Sequence, residues 1–224
     1  PAPSASPCDD CTVLRSERLL LRPWNVDDAP ALFELARDPR VGPPAGWAPH
    51  ASVDESRQVI RDVLSAPHCF AAFLEDGGTL VGCVGLTPAE ASSAAGEGEA
   101  ELGYWLGVPF WGKGLATEAS RELVRYGFAE LGLSAIWACY YEGNERSHRV
   151  MEKCGMRREG LLRQKLYNKG EYVDVEIWAI LARDRRFRVP TRFETMQAAW
   201  FRETCGAPNP GKRAFRPPLP PCPE

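Results

Sequence analysis

Residues 101–131 place a strand, a turn and a helix in immediate succession, and this stretch constrains the fold more than any other part of the chain. Leu102, Tyr104, Trp105 and Leu106 make an apolar run around Gly103. Gly107, Gly112 and Gly114 then punctuate a turn, and a helix-forming run follows over residues 117–131. A strand that feeds a glycine turn into a helix leaves the first amides of that helix without acceptors. The aligned peptide dipoles put partial positive charge at the same end, so an anion, above all a phosphate, is the natural guest.

Two familiar phosphate motifs are excluded by single positions. Gly107 and Gly112-Lys113 have the spacing of a nucleoside-triphosphate loop, but Gly114 stands where a magnesium-binding Ser or Thr is required. Gly112 and Gly114 begin a dinucleotide fingerprint, but Thr117 occupies the third glycine's place and no simple βαβ unit opens the chain. A glycine turn ahead of a helix is also common punctuation, so the reading needs support from elsewhere in the sequence.

Such support lies downstream. Residues 134–141 form an apolar strand, and residues 144–156 a short helix with Asn144, Ser147, Met151, Glu152 and Lys153 that stops at Gly155. The sequence Trp111-Gly112-Lys113-Gly114-Leu115-Ala116 together with this second motif resembles the GNAT N-acetyltransferase superfamily. Within it the chain looks most like the Rim-type branch, which acetylates N-terminal amines of ribosomal proteins and has relatives acting on polyamines and aminoglycosides. The resemblance spans about residues 14–183.

The rest of the chain is consistent with one α+β domain over residues 13–184. Residues 18–24 read as a strand, and residues 27–37 and 52–64 as helices, the second capped by Ser52 and Glu55. A hairpin over 68–74 and 79–86 turns at Asp76-Gly77. Strands at 157–167 and 172–182 close the domain. The order is strand, two helices, three strands, helix, strand, helix, two strands. The resemblance implies the GNAT fold, with a mixed, mostly antiparallel seven-stranded sheet and helices on both faces. Residues 1–12 read as a disordered leader. Residues 185–224 read as an extension with a helix capped near Pro190 and a proline-rich tail, and a helix docked on its own domain or a dimer contact both fit its apolar stripe.

Composition narrows the partners. A formal charge of −3 argues against nucleic-acid or membrane-surface binding, and there is no apolar run long enough to span a bilayer and no signal peptide. These features suggest a cytoplasmic protein, monomer or homodimer. Eight cysteines in 224 residues are too few for a disulfide scaffold; Cys8 and Cys11 form a CxxC without convincing partners, so no metal is expected.

What the resemblance implies for the site can be carried over residue by residue. Acetyl-CoA would lie with its pyrophosphate on the amides of Trp111, Gly112, Lys113, Gly114, Leu115 and Ala116. A bulge at Gly103 would free amides of Gly103, Tyr104, Trp105 and Leu106 for the pantetheine arm and acetyl carbonyl. Asn144 would bond pantetheine as well as cap its helix, and Ser147 would protonate the departing thiolate, or simply bond locally. Trp111 stands where many members have Gln or Arg. Lys113, Arg121, Arg146, Arg149 and Lys153 are the cations near the two motifs. Leu166 occupies the place of the branch's glutamate, which leaves the general base open. Glu101 is the leading carboxylate and Asp174 the other, although Asp174 could instead anchor a hairpin. His148 reads as a helix-surface residue. The acceptor is an amine, on a protein N-terminus or a small molecule. It would enter near the loop over residues 41–49, where Trp47 is either a wall of the site or a core anchor. The competing class is an acyl-CoA-binding module that senses or scaffolds without turnover.

Overall fold

A computed structural model describes residues 12–75, 78–92, 94–141, 143–168 and 171–184. The expected leader, the Cys8 and Cys11 pair, the C-terminal helix and the proline-rich tail lie outside these residues, apart from Thr12. Eight strands form one sheet in the order β1-β2-β3-β4-β5-β6-β8-β7. β1 (Leu14–Arg15), β2 (Leu19–Pro23), β3 (Cys69–Leu74), β4 (Leu80–Pro88) and β5 (Glu99–Leu106) run antiparallel in succession. β6 (Ala135–Tyr141) joins β5 in parallel, and β8 (Glu171–Leu181) and β7 (Arg157–Asn168) complete the sheet antiparallel. The strand beyond the expected seven is β1. Its two residues fold back on Leu20 and Leu21, a pairing too short to leave a period in the sequence.

Helices α1 (Ala29–Ala36) and α2 (Val53–Val59) cover one face, α3 (Leu115–Ala129) and α4 (Glu145–Lys153) the other. The alternation of strand side chains decides which residues meet which helices. Leu102 and Leu106 of β5 and Ile136 and Ala138 of β6 pack with Leu115 and Leu123 of α3 and Met151 of α4. The opposite face of β3 and β4 carries Ala71 and Cys83 against Leu32, Ala36 and Ile60, with Trp105 packed at the margin. Ser52 caps α2 by accepting the Glu55 amide at 3.1 Å, as its sequence suggests.

The sheet has one discontinuity. β5 and β6 pair only at Glu99↔Ala135, Ala100↔Ile136 and Glu101↔Trp137. Beyond that point β5 stays on β4 as far as Leu106, and β6 stays on β8 as far as Tyr141. The two central strands therefore diverge, each held by its outer neighbour, and a gap opens between their C-terminal halves.

The start of α3 is fixed to the opposite edge of the sheet through Glu118. Its carboxylate accepts Ser16 Oγ, the Arg18 amide and Arg18 Nε, each at 2.7 Å, while Arg18 Nη1 donates to the Lys113 carbonyl at 3.1 Å. Partial burial disfavours the Glu118 charge, but the Ser16 and Arg18 donors outweigh it and hold the pKa below its ordinary value. A depressed folded-state pKa contributes stability above the unfolded carboxylate value, and that contribution is lost as pH falls through the folded one. Glu118→Gln is expected to lower the melting temperature at neutral pH and to flatten its decline on the acid side. Calorimetric melts across the acid range check this, and a variant whose acid limb matches the parent would remove Glu118 from the account.

Candidate active site

Gly112 and Gly114 adopt left-handed φ values of 73° and 78°, and Gly114 is the N-cap of α3 without offering a capping side chain. Only glycine reaches this conformation cheaply. Among the described residues the amides of residues 112–117 find no acceptor, so the turn presents a row of free donors at the positive end of a 15-residue helix. Trp111 braces the turn by donating Nε1–H to the Leu106 carbonyl at 2.8 Å, and the Arg146 guanidinium lies 4.2 Å over its ring. Lys113 Nζ stands 5.7 Å from the Phe110 ring. Arg121 is occupied elsewhere, since Nε and Nη2 both bond the Lys153 carbonyl and cap the end of α4.

The gap edge of β5 follows from the ladder. Gly107 N donates to Val81 O at 2.9 Å, and the register from Gly82↔Leu106 to Pro88↔Ala100 has no shift. Amides alternate in direction along an antiparallel strand, so those of Gly103 and Trp105 face β4, and those of Tyr104 and Leu106 face the gap. The bulge expected at Gly103 is therefore absent from this ladder. Free amides arise because β6 leaves, not because β5 buckles.

Side chains on the α3–α4 face bring together the second motif. Asn144 Oδ1 accepts the Ser147 amide at 3.3 Å and caps α4. The Tyr104 hydroxyl crosses the gap to donate to the Ser147 carbonyl at 3.1 Å. Burial pushes the Tyr104 phenol well above its ordinary pKa, so it remains a donor at neutral pH. His148 keeps 35% of its side chain exposed on the surface of α4, with the rest packed on the sheet. Its ring stacks 6.1 Å from Tyr140 and tilts 5.0 Å from Trp178, which fixes α4 on β6 and β8.

Glu101 lies on the opposite face. Its Oε2 accepts Ser92 Oγ at 2.7 Å and its Oε1 the Cys139 thiol at 2.9 Å. Burial first, then the Glu101 carboxylate, pushes the Cys139 thiol up to about 12, so it stays protonated as a donor. Two residues back, Glu99 Oε2 accepts Trp137 Nε1 at 2.6 Å and the Gly96 amide at 2.8 Å. Trp47 packs edge-on to Trp105 at 5.5 Å and beside His50 at 5.4 Å, so it is anchored and also stands at the gap. Asp174 is not part of this group. It precedes the last β6–β8 pair, Tyr141↔Val175, and its Oδ1 accepts the Gln164 amide at 2.7 Å, holding the irregular turn of β7 where Gln164 has φ 49°.

Free amides at a helix start, a split sheet and side chains on both sides of the split set the context for the family. Residues 18–157 match the family model described as an acetyltransferase (GNAT) domain. The chain belongs to the GNAT acetyltransferase family. It is 32% identical over 176 residues to the uncharacterized N-acetyltransferase p20 of Bacillus licheniformis, an overlap of 76% of this chain and 97% of that one. A GNAT-family acetyltransferase from Bacillus anthracis superposes with a TM-score of 0.70 at 29% identity, over 77% of this chain and all of that one (100%). RimL, a ribosomal L7/L12 alpha-N-protein acetyltransferase solved with coenzyme A, shares the fold at a TM-score of 0.62 and 20% identity, over 76% of this chain and 98% of that one.

For a GNAT domain, the substitution of Trp at 111 has a structural answer. The indole face carries Arg146, so a cation still stands beside the turn although position 111 itself has none. Residues 111–116, Tyr104, Leu106, Asn144 and Ser147 gather around the gap on one face and Glu101 on the other. Sequence reasoning passed over Ser92, Glu99, Trp137, Cys139 and Tyr141. The period-two alternation from Glu101 through Trp105 was the signal that pointed to that face.

The Tyr104 hydroxyl is the tie between β5 and the first turn of α4. Tyr104→Phe is expected to cost about 0.5–1.5 kcal/mol, the usual net value of one hydrogen bond. Hydrogen exchange at the amides of α4 should accelerate in step, and an unchanged exchange rate there would show that packing alone holds the helix.

Proposed function

We propose that this GNAT enzyme transfers the acetyl group of acetyl-CoA directly to a primary amine in a ternary complex, with Glu101 receiving the amine's proton. The observation that carries the reading is the pair of opposed faces around one gap, with anion donors and Ser147 on one and the neutral-donor-bonded Glu101 on the other. GNAT acetyltransferases use acetyl-CoA, and RimL, a fold relative, was solved with coenzyme A. The Rim-type motifs favour the same substrate here. The pyrophosphate would rest on the amides of residues 111–116 beside Arg146 and Lys113, with the pantetheine arm along the Tyr104 and Leu106 amides and Asn144. No helix among the described residues is long and apolar enough to cross a membrane.

The chemistry follows from charge. A primary amine near neutral pH is an ammonium and must lose a proton before its nitrogen can attack. Glu101, directly or through a water, accepts that proton. The nitrogen forms its bond to the thioester carbon, with the oxygen stabilised by a gap-facing β5 amide. The carbon–sulfur bond breaks, the nitrogen releases its second proton to solvent, Ser147 supplies a proton to the leaving sulfur and recovers one from solvent, and Glu101 returns its proton to solvent. The products are an N-acetyl amine, the free thiol of CoA and one released proton.

Two measurements test this. Gly114→Val places a β-branched residue at φ 78°, where it is strained and projects over the donor row. Affinity for CoA by calorimetry is expected to fall by about tenfold or more with the fold retained; unaltered affinity would move the phosphate site elsewhere. Glu101→Gln should lower turnover by roughly 10²-fold or more while CoA affinity holds. A variant with parental turnover would show that Glu101 is not the base.

A further inference from the structure

Glu101 stands where the central strands part, since Glu101↔Trp137 is the last pair between β5 and β6. A glutamate side chain turns about several bonds, so a base in that place needs something to hold it. Two neutral donors do so from different elements. Cys139, beyond the last pair on β6, donates its thiol to Oε1 at 2.9 Å, and Ser92, from the connection between β4 and β5, donates its hydroxyl to Oε2 at 2.7 Å. Ser92 follows a single turn of 3-10 helix over Ala89–Ala91, and its amide closes that turn on the Ala89 carbonyl at 3.3 Å. Its Oγ accepts the Ala94 and Ala95 amides at 3.0 and 2.9 Å. The connection is held a second time where the Gly96 amide donates to Glu99 Oε2 at 2.8 Å.

These bonds fix the direction of the Ser92 proton. A serine hydroxyl has one proton to give and two lone pairs to accept with, and the Ala94 and Ala95 amides occupy both. Ser92 therefore only donates toward Glu101, and it cannot turn round to take a proton from the carboxyl group. We infer that Ser92 is a positioning residue, which holds Oε2 and so keeps the Glu101 carboxylate at the vertex of the gap as a proton acceptor. The inference rests on the reading of Glu101 as the base. The thiol on Oε1 is the weaker donor, which an incoming ammonium displaces, so Oε1 is the oxygen that receives the amine's proton. Closing the connection uses the Ser92 lone pairs, whereas the bond to Glu101 uses its proton. The two roles therefore separate in variants.

The test measures kcat and KM at saturating acetyl-CoA, using n-butylamine or an alanyl tripeptide, whichever the wild type acetylates faster, with CoA affinity read in parallel by calorimetry. Ser92→Ala, Ser92→Thr and Ser92→Asp are each made alone and together with Glu101→Gln. Ser92→Asp keeps an acceptor for the Ala94 and Ala95 amides but has no proton to give. Ser92→Ala and Ser92→Asp are expected to lower kcat by about tenfold or more with KM and CoA affinity nearly unaltered, because a displaced base acts on the chemical step. Ser92→Thr, which keeps the hydroxyl, should recover most of that loss. With Glu101→Gln already present, no change at Ser92 should lower the rate further, since residues that act as a unit are not additive. Parental kcat in Ser92→Asp, or the same fractional loss with Glu101→Gln as without it, overturns the inference while Glu101 remains the base; Ser92 then only closes the connection. Parental turnover in Glu101→Gln overturns both, as does CoA binding without turnover of either amine by the wild type.

Discussion

The divergence of β5 from β6 is the constraint on which the rest of the site depends. A sheet strand normally shares both edges, and leaving an edge open exposes donors and acceptors that cost about a kilocalorie each when they go unpaired. Here the opening is tolerable because each strand keeps a full ladder on its outer side, β5 with β4 and β6 with β8. Three parallel pairs at the narrow end fix the angle. The Tyr104 hydroxyl on the Ser147 carbonyl spans the gap on one face, and the Gly46–Tyr141 contact spans it on the other. The gap is thus framed at both surfaces, while the Tyr104 and Leu106 amides within it are left for a guest.

One strand consequently serves three directions at once. Even-numbered side chains of β5 enter the α3–α4 core, with Tyr104 reaching Ser147; odd-numbered ones, Glu101 and Trp105, line the other side; and alternate amides lie in the sheet plane, pointing into the gap. A one-residue slip of register would exchange the two faces and place Glu101 beside α4. The unbroken β4–β5 ladder prevents this, which explains why the absence of a bulge matters to the chemistry. Gly103 fits the same scheme: it removes a side chain from the face that carries Glu101 and Trp105 without altering the register.

The fold was legible where signals were local. The glycine turn from Gly107 to Ala116, the capped α2 and the Asn144 cap each belong to a few neighbouring residues, and the structure places them as their sequence suggests, whereas the bulge expected at Gly103 is absent. Longer-range features were not legible. Tyr104 and Ser147 are 43 residues apart, so nothing in either segment announces their hydrogen bond. Asp174 and Glu101 read alike as strand carboxylates, and only the turn of β7, where the Gln164 amide claims Asp174, separates them. His148 reads as a helix-surface residue on the charge-rich α4, and 35% of its side chain is exposed. Its ring contacts with Tyr140 and Trp178 come from two other strands, so nothing in α4 announces them. β1 escaped notice because two residues carry no period.

The anion site poses an electrostatic problem that the structure resolves locally. The whole chain is acidic by formal charge, −3, and Glu118 occupies the first turn of the helix whose N-terminus would receive a phosphate. A free carboxylate there would compete with the guest for the helix dipole. Instead it is turned toward β2 and covered by Ser16 and Arg18, and Arg18 also holds the carbonyl of Lys113 in the turn. The acid that would repel a phosphate thereby becomes the anchor that keeps the turn in shape. Arg146, stacked on Trp111, returns positive charge to the mouth of the cradle from a different helix. Local geometry, rather than net charge, decides the sign of the field that a ligand meets.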